Sequence, residues 1–246
     1  MKLSRSVILN DESGLVHTYW RCHNKEFYFK DKNSKNLYMN CLNETFQLPN
    51  TNYYGKVKIY GYCVMNNHFH KLVSYENGSQ NLSNLMRRCN GKFGLIYNIN
   101  NKRSGKVAES RPKTSLIQNS EHAMNVHMYI EANPLFTNKS SKKSILLRLK
   151  TLHQNKYCSY GFYAYGIETE HSKSLTIPDW YLELGSNSKI RQLRYRKLFM
   201  EYVLKSTNSE IRMFDFKLFI GSSSWVLNQK IRCKNHYLIE VLDLDS

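Results

Sequence analysis

The run Lys56 to Tyr75, "KVKIYGYCVMNNHFHKLVSY", constrains the fold most. Two β-rich segments flank Asn66-Asn67, a turn pair that reads as the tip of a hairpin. Side chains alternate faces along a strand, so His68 and His70 point the same way, about 7 Å apart, and Phe69 points opposite, into a core. Two imidazoles on one sheet face can seat a divalent metal. With nine His in the chain, one His-x-His pair arises by chance about a third of the time, the false-positive risk of any short motif. The pair alone therefore leaves both readings open.

The rest of the chain places this hairpin in a pattern. "LVHTYWRC" (Leu15 to Cys22) reads as a first strand, and Ser34 to Phe46 as a helix with Leu37, Cys41, Leu42 and Phe46 near one face. The Pro49 to Gly55 stretch is a turn into the hairpin. Asn81 to Lys102 is a long basic amphipathic helix, weakened in its middle by Gly91 and Gly94. "KVAESRPKTSLIQ" suits a fourth strand, with Pro112 marking an edge or bulge. "SEHAMNVHMYIEAN" is a helix with Ser120 as its N-cap, stopped by Pro134. This order predicts an α+β fold: an antiparallel sheet with helices on one face, similar to the ferredoxin-like and RNA-recognition plaits.

After about residue 138 the character changes. Asn138 to Lys150 carries Lys139, Lys142, Lys143, Arg148 and Lys150 with no acid. An aromatic run, "YCSYGFYAYG", then "IPDWYLELG" and the basic helix "SKIRQLRYRKLFMEYV" follow. The expected organisation is a domain over residues 1–137 and a mainly helical and irregular, basic accessory region over 138–246, with no internal repeat. Tyr157, Tyr160, Tyr163 and Tyr165 are expected to pack that region onto the first domain; stacking on unpaired bases is the alternative.

Lys and Arg number 36 against 19 acidic residues, a net charge of +17. Such an imbalance points to a polyanionic partner, most often nucleic acid, against the blander reading of a merely basic soluble protein. From Arg87 to Lys113 the chain carries Arg87, Arg88, Lys92, Lys102, Arg103, Lys106, Arg111 and Lys113 against Glu109 alone. These are candidate contacts to a phosphate backbone, the alternative being a solvated helix face. The six Cys form no CxxC, which argues against a zinc ribbon or disulfide framework and for reduced thiols. The N-terminus lacks a signal-peptide core and no run reaches membrane-spanning length. There is no phosphate loop or GxGxxG, so no nucleotide cofactor is expected. A cytoplasmic, nucleoid-associated protein is the expectation.

Tyr129 and Asn133 lie four residues apart on the helix before Pro134, on one face, with Cβ atoms about 6 Å apart. With 18 Tyr in the chain, core packing is the ordinary role for any one of them. The order of motifs adds to this. "YCVMNNHFHKLV", a basic helix, "G-x-V-x-E-x-R" (Gly105 to Arg111) and "YIEANP" together resemble the REP-associated tyrosine transposases, of the single-tyrosine HUH (His-hydrophobic-His) superfamily. "YLELG…RQLRYRKLF" is similar to the C-terminal extension of many such proteins, so the resemblance spans roughly residues 7 to 205.

The resemblance implies that His68 and His70 are metal ligands, that Asn133 completes the metal site, and that Tyr129 is the nucleophile. It implies Mg²⁺ or Mn²⁺ as cofactor and single-stranded, hairpin-forming DNA as partner. The implied activity is a site-specific single-strand endonuclease and strand transferase working through a 5′-phosphotyrosine link, as a monomer or as a homodimer exchanging tyrosine helices. Departures from the family pattern are Asn66 for Pro, Lys71 for Leu, Ala108 for an aromatic, and Leu135-Phe136 where Arg is frequent. A replication initiator of the same superfamily, or a DNA- or RNA-binding protein that does not cleave, are the alternatives.

Overall fold

The computed structural model describes residues 5–9, 12–47, 56–137, 141–206, 214 and 217–244. Five strands form one sheet in the order β2-β3-β1-β4-β5. They are β1 (Gly14–Arg21), β2 (Val57–Val64), β3 (His68–Tyr75), β4 (Lys113–Ile117) and β5 (Phe219–Ile220). The first four pair antiparallel, and β5 adds a short parallel edge beside β4. With α2 (Lys32–Phe46) between β1 and β2 and α3 (Ser79–Asn100) between β3 and β4, this is the expected α+β plait. The fifth strand is supplied by the C-terminal region and was not expected.

Strand alternation sorts the residues into two layers. Val16, Trp20, Phe69 and Val73 face α2 and α3, where Leu42, Leu85, Met86, Cys89 and Phe93 join them in one core. Trp20, Phe29, Tyr38, Phe69 and Phe93 are mutually packed there, with rings 4.2–6.3 Å apart. Lys71 is buried in this aromatic layer. Its Nζ lies 4.8 Å from the Phe69 ring centre and 3.2 Å from the Tyr38 hydroxyl, the cation–π and hydrogen-bond partners that a buried ammonium needs.

The opposite face of the sheet is covered as well. Helix α4 (Ser120–Ala132) lies across β2 and β3. Its buried Ala123, Val126, Ile130 and Ala132 share a second core with Cys63, Leu72 and Ile117 of the sheet and with Tyr160, Tyr163, Trp180, Tyr195 and Phe199 of the C-terminal region. That region includes α5 (Lys142–Thr151), α6 (Tyr160–Tyr165), α7 (Asp179–Leu182), α8 (Ser188–Lys205) and α9 (Ser223–Leu244); a short α1 (Arg5–Ile8) precedes the sheet. Its chain also runs along the outer edge of β2, where Cys158 bridges Cys63 and Leu175 bridges Ile59. Covering that edge removes a row of unpaired backbone groups. Tyr157, Tyr160 and Tyr163 are buried, whereas Tyr165 is exposed beneath Arg196.

Local signals differ from the sequence expectation at a few points. The side chain that caps α4 is Asn119, which accepts from the His122 N–H, not Ser120; an Asn oxygen reaches the first-turn amide three residues on as well as a Ser does. Helix α2 begins two residues early because Asp31 caps it, accepting from the Ser34 N–H at 2.8 Å. Gly91 and Gly94 leave α3 continuous. The expected 49–55 turn and Lys139 lie outside the described residues.

Candidate active site

Three strands build the α4-facing surface of the sheet, and their register decides which side chains meet. On β3, His68, His70 and Leu72 face α4. On β1, Arg21 stands opposite His68, Tyr19 opposite His70 and His17 opposite Leu72; on β4, Lys113 stands opposite Tyr19. The Tyr19 ring lies 5.4 Å from that of His68 and 4.9 Å from that of His70, and the two histidine rings are 5.0 Å apart and nearly perpendicular. His17 reaches diagonally to His70, with Nε2 to Nδ1 at 2.9 Å and the rings stacked. Sequence analysis found the β3 pair and missed all three β1 residues. The signal was the alternation His17-x-Tyr19-x-Arg21, readable only once β1 is set in register beside β3.

Helix α4 closes this surface from above. Tyr129 is 1% exposed, and its ring meets His70 edge-on at 5.4 Å and His17 at 5.6 Å, with Phe214 packed on it at 5.0 Å. Asn133, one turn on, ends α4: its amide nitrogen donates to the Tyr129 carbonyl at 2.9 Å and to that of Ile130 at 3.4 Å.

Burial sets the electrostatics. It pushes His68 down to about 4, helped by the Arg21 charge, His17 down to about 3, and His70 well below its ordinary value, with His68, His17 and Arg21 adding to the effect. All three imidazoles are therefore neutral near pH 7, the form that presents a lone pair. The His68 Nδ1 lies 2.7 Å from the Asn67 Oδ1; an amide oxygen only accepts, so Nδ1 carries the proton and Nε2 the lone pair.

A divalent ion is the group the resemblance implies, and the residues fit it in kind. Two neutral imidazoles share a face, one with its tautomer set by Asn67. No cluster of three or more His, Cys, Asp or Glu side chains able to hold a metal occurs among the described residues, so a third protein ligand would have to be of another type.

The same helix is held from its far side by a buried polar network. Glu131 Oε1 accepts from the Ser159 hydroxyl at 2.6 Å, and its Oε2 lies 2.7 Å from the Tyr195 hydroxyl oxygen. That oxygen lies 2.9 Å from His127 Nδ1, and His127 Nε2 donates to the Tyr60 carbonyl. Burial raises Glu131 to about 8 and lowers His127 to about 3. Although Nε2 and Oε1 are 3.5 Å apart, we read the pair as neutral: a protonated Glu131 donates to Tyr195, whose own proton goes to His127, and every hydrogen is used once. Sequence analysis did not single out this network.

The basic residues from Arg87 to Lys113 are distributed over two faces. Lys113 lies on the histidine face, its Nζ 5.7 Å from the Tyr19 ring centre. Arg87, Arg88 and Lys92 ride on α3, in the opposite layer. Arg87, Lys106, Arg111 and Lys113 line an open groove of about 1300 Å³ between α3 and β4. Arg88 and Lys102 are exposed, and Lys92 pairs with Glu44. Arg103 is taken up structurally, 4.7 Å over the Tyr28 ring and bonded to its hydroxyl.

No helix among the described residues is long and apolar enough to cross a membrane. No family model matches the chain, and no curated protein matches it. A solved structure similar to the chain is that of a REP-associated tyrosine transposase bound to a REP hairpin, at 13% identity and a TM-score of 0.48, covering 63% of this chain and 82% of that one.

Proposed function

We propose that the chain is a metal-dependent single-strand DNA endonuclease and strand transferase, with Tyr129 as nucleophile and His68, His70 and Asn133 as metal-holding residues. The observation that carries this reading is the placement of the Tyr129 ring 5.4 Å from His70, on the sheet face that also presents His68. A phenol is a weak nucleophile at its free pKa near 10, and a neighbouring cation is what makes it competent. When bound, the divalent ion, Mg²⁺ or Mn²⁺, polarises a phosphoryl oxygen and stabilises the charge that develops on it.

The chain's own residues do the rest. His17 and Asn67 fix the two imidazoles, and α4 delivers the phenol from above. The Tyr129 oxygen forms a bond to phosphorus as the bond to the 3′-oxygen breaks. The phenol loses one proton and the departing 3′-oxygen gains one. The products are a 5′-phosphotyrosine and a free 3′-OH, and the ester keeps the bond energy, so rejoining needs no nucleotide hydrolysis. Tyr129 is 1% exposed, with Phe214 packed on its ring, so the phenol has to be uncovered before DNA can reach it.

The net charge of +17 and the groove beside α3 favour a nucleic-acid partner, and hairpin-forming single strands are the proposed substrate class. The burial of Tyr129 favours a second reading, a nucleic-acid-binding protein that does not cut. Replacing His68 or His70 by Ala separates the two: in the enzyme, cleavage of labelled single-stranded hairpin DNA is lost while binding persists. Neither parent nor variant cleaving would favour the binding protein.

A further inference from the structure

The β1 edge of this site carries a cation that the nuclease reading has not used. Arg21 stands directly opposite His68, and its guanidinium carbon lies 5.3 Å from the centre of the Tyr19 ring, itself in contact with both site histidines. It is half-buried, and its Nε is shut from solvent without a hydrogen-bond partner. Among the described residues Arg21 makes no ion pair. Glu109, the acid nearest in the chain pairing, donates its backbone N–H to the Arg21 carbonyl at 3.0 Å and stays exposed. Among the described residues, the other polar side chains that β1, β3 and β4 place around it on this surface are imidazoles, the Tyr19 phenol, the Ser115 hydroxyl and the cation of Lys113.

A partly desolvated guanidinium without a carboxylate is costly to keep. Its planar fork matches two oxygens of one phosphate group better than any other common anion.

We propose that Arg21 is a catalytic residue that binds the non-bridging oxygens of the scissile phosphate from the β1 side, opposite His68. The proposal rests on the nuclease reading and adds to it a ligand for the phosphate that belongs to the chain itself. Tyr19 acts as the platform under the Arg21 guanidinium, and Lys113, across Tyr19, raises the local positive potential. In the reaction the guanidinium faces charge that grows on phosphorus-bound oxygens, where fixed donors act most strongly.

Inorganic phosphate, in the presence of Mg²⁺, is the probe, because it needs no knowledge of the DNA sequence. Calorimetric titration compares wild type with Arg21→Met, which removes the guanidinium, and with Arg21→Lys, which keeps the charge. We expect Arg21→Met to weaken phosphate binding tenfold or more and Arg21→Lys to recover part of the loss. In ¹⁵N-labelled wild-type protein the Arg21 Nε–H resonance, identified by its absence in Arg21→Lys, should shift on phosphate addition, a test that does not depend on the Met variant folding. Phosphate binding unchanged in Arg21→Met, no phosphate binding by wild type, or an unmoved Arg21 resonance would each overturn the proposal. A protein–DNA adduct persisting in Tyr129→Phe would instead overturn the nuclease reading and leave the phosphate titration standing.

Discussion

His17 and His70 join β1 to β3 by a 2.9 Å hydrogen bond between two neutral imidazoles. One hydrogen serves the pair. When it sits on His70 Nδ1, the Nε2 of His70 is the atom with the lone pair, and the ring is held edge-on to Tyr129. Partners of this kind orient a ligand and tune its basicity, and their loss typically costs about 10- to 100-fold in metal affinity. His17→Ala should accordingly weaken Mn²⁺ binding by about tenfold or more, measured from the free Mn²⁺ signal in an electron paramagnetic resonance titration. Wild-type affinity in that variant would mean that the His17 contact is packing alone.

The donor set also predicts a metal preference. Imidazole nitrogens suit transition metals better than Mg²⁺, which prefers carboxylate and water oxygens. With no acidic side chain beside the histidine pair among the described residues, Mn²⁺ should support cleavage at concentrations at least tenfold below those needed for Mg²⁺. Equal half-saturation for the two ions would argue that a carboxylate joins the two imidazoles.

Glu131 gives the protein a pH signature. Its carboxyl is raised from the usual 4.5 to about 8, so between those values the folded state keeps a proton that the unfolded chain has released. Stability then falls as pH rises through that window. His17, His68 and His127, held below 6.5, act in the opposite direction, but only below pH 6.5. The limb from pH 6.5 to 8 thus isolates Glu131, and wild type should lose on the order of 1 kcal/mol across it. Glu131→Gln keeps a donor for Tyr195 and an acceptor for Ser159, so its melting temperature should stay flat over the same range. Parallel melting curves for the two proteins would contradict the neutral network.

A related expectation concerns Gly61, beside the bulge of β2. A Cβ there would come 2.5 Å from His127 Cδ2 and 2.6 Å from His127 Nε2. Gly61→Ala should therefore destabilise the fold by about 1–3 kcal/mol, the usual cost of overpacking a filled interior, read by chemical denaturation. A neutral effect would mean that the His127 ring has room to move.

Much of this arrangement was legible in the sequence because it is local. Asn66-Asn67 between two β-rich runs marks the hairpin, and strand alternation puts His68 and His70 on one side whatever lies elsewhere. Pro134 marks the end of the tyrosine helix. What was not legible depends on distant pairing. Nothing local says that β1 lies beside β3 in a register that sets Arg21 opposite His68, or that Tyr195 and Ser159, 64 and 28 residues from Glu131, meet it. Lys71 stands out in sequence as a charge in an apolar position, and only the Tyr38 and Phe69 rings account for it. The split of the basic stretch between Lys113 on the histidine face and α3 on the other likewise follows from tertiary packing.

The central claim is that the Tyr129 oxygen attacks DNA, and the most direct measurement is the site of covalent attachment. Wild-type protein, Mn²⁺ and labelled single-stranded hairpin DNA are incubated, denatured, and any conjugate is mapped by peptide mass. The account predicts a denaturant-stable adduct on the peptide containing Tyr129 and on no other of the 18 tyrosines. Tyr129→Phe keeps the ring against His70 and His17 and deletes only the oxygen, so it should fold, bind the hairpin and give no adduct. An adduct on another tyrosine, or one that persists in the Phe variant, would contradict it.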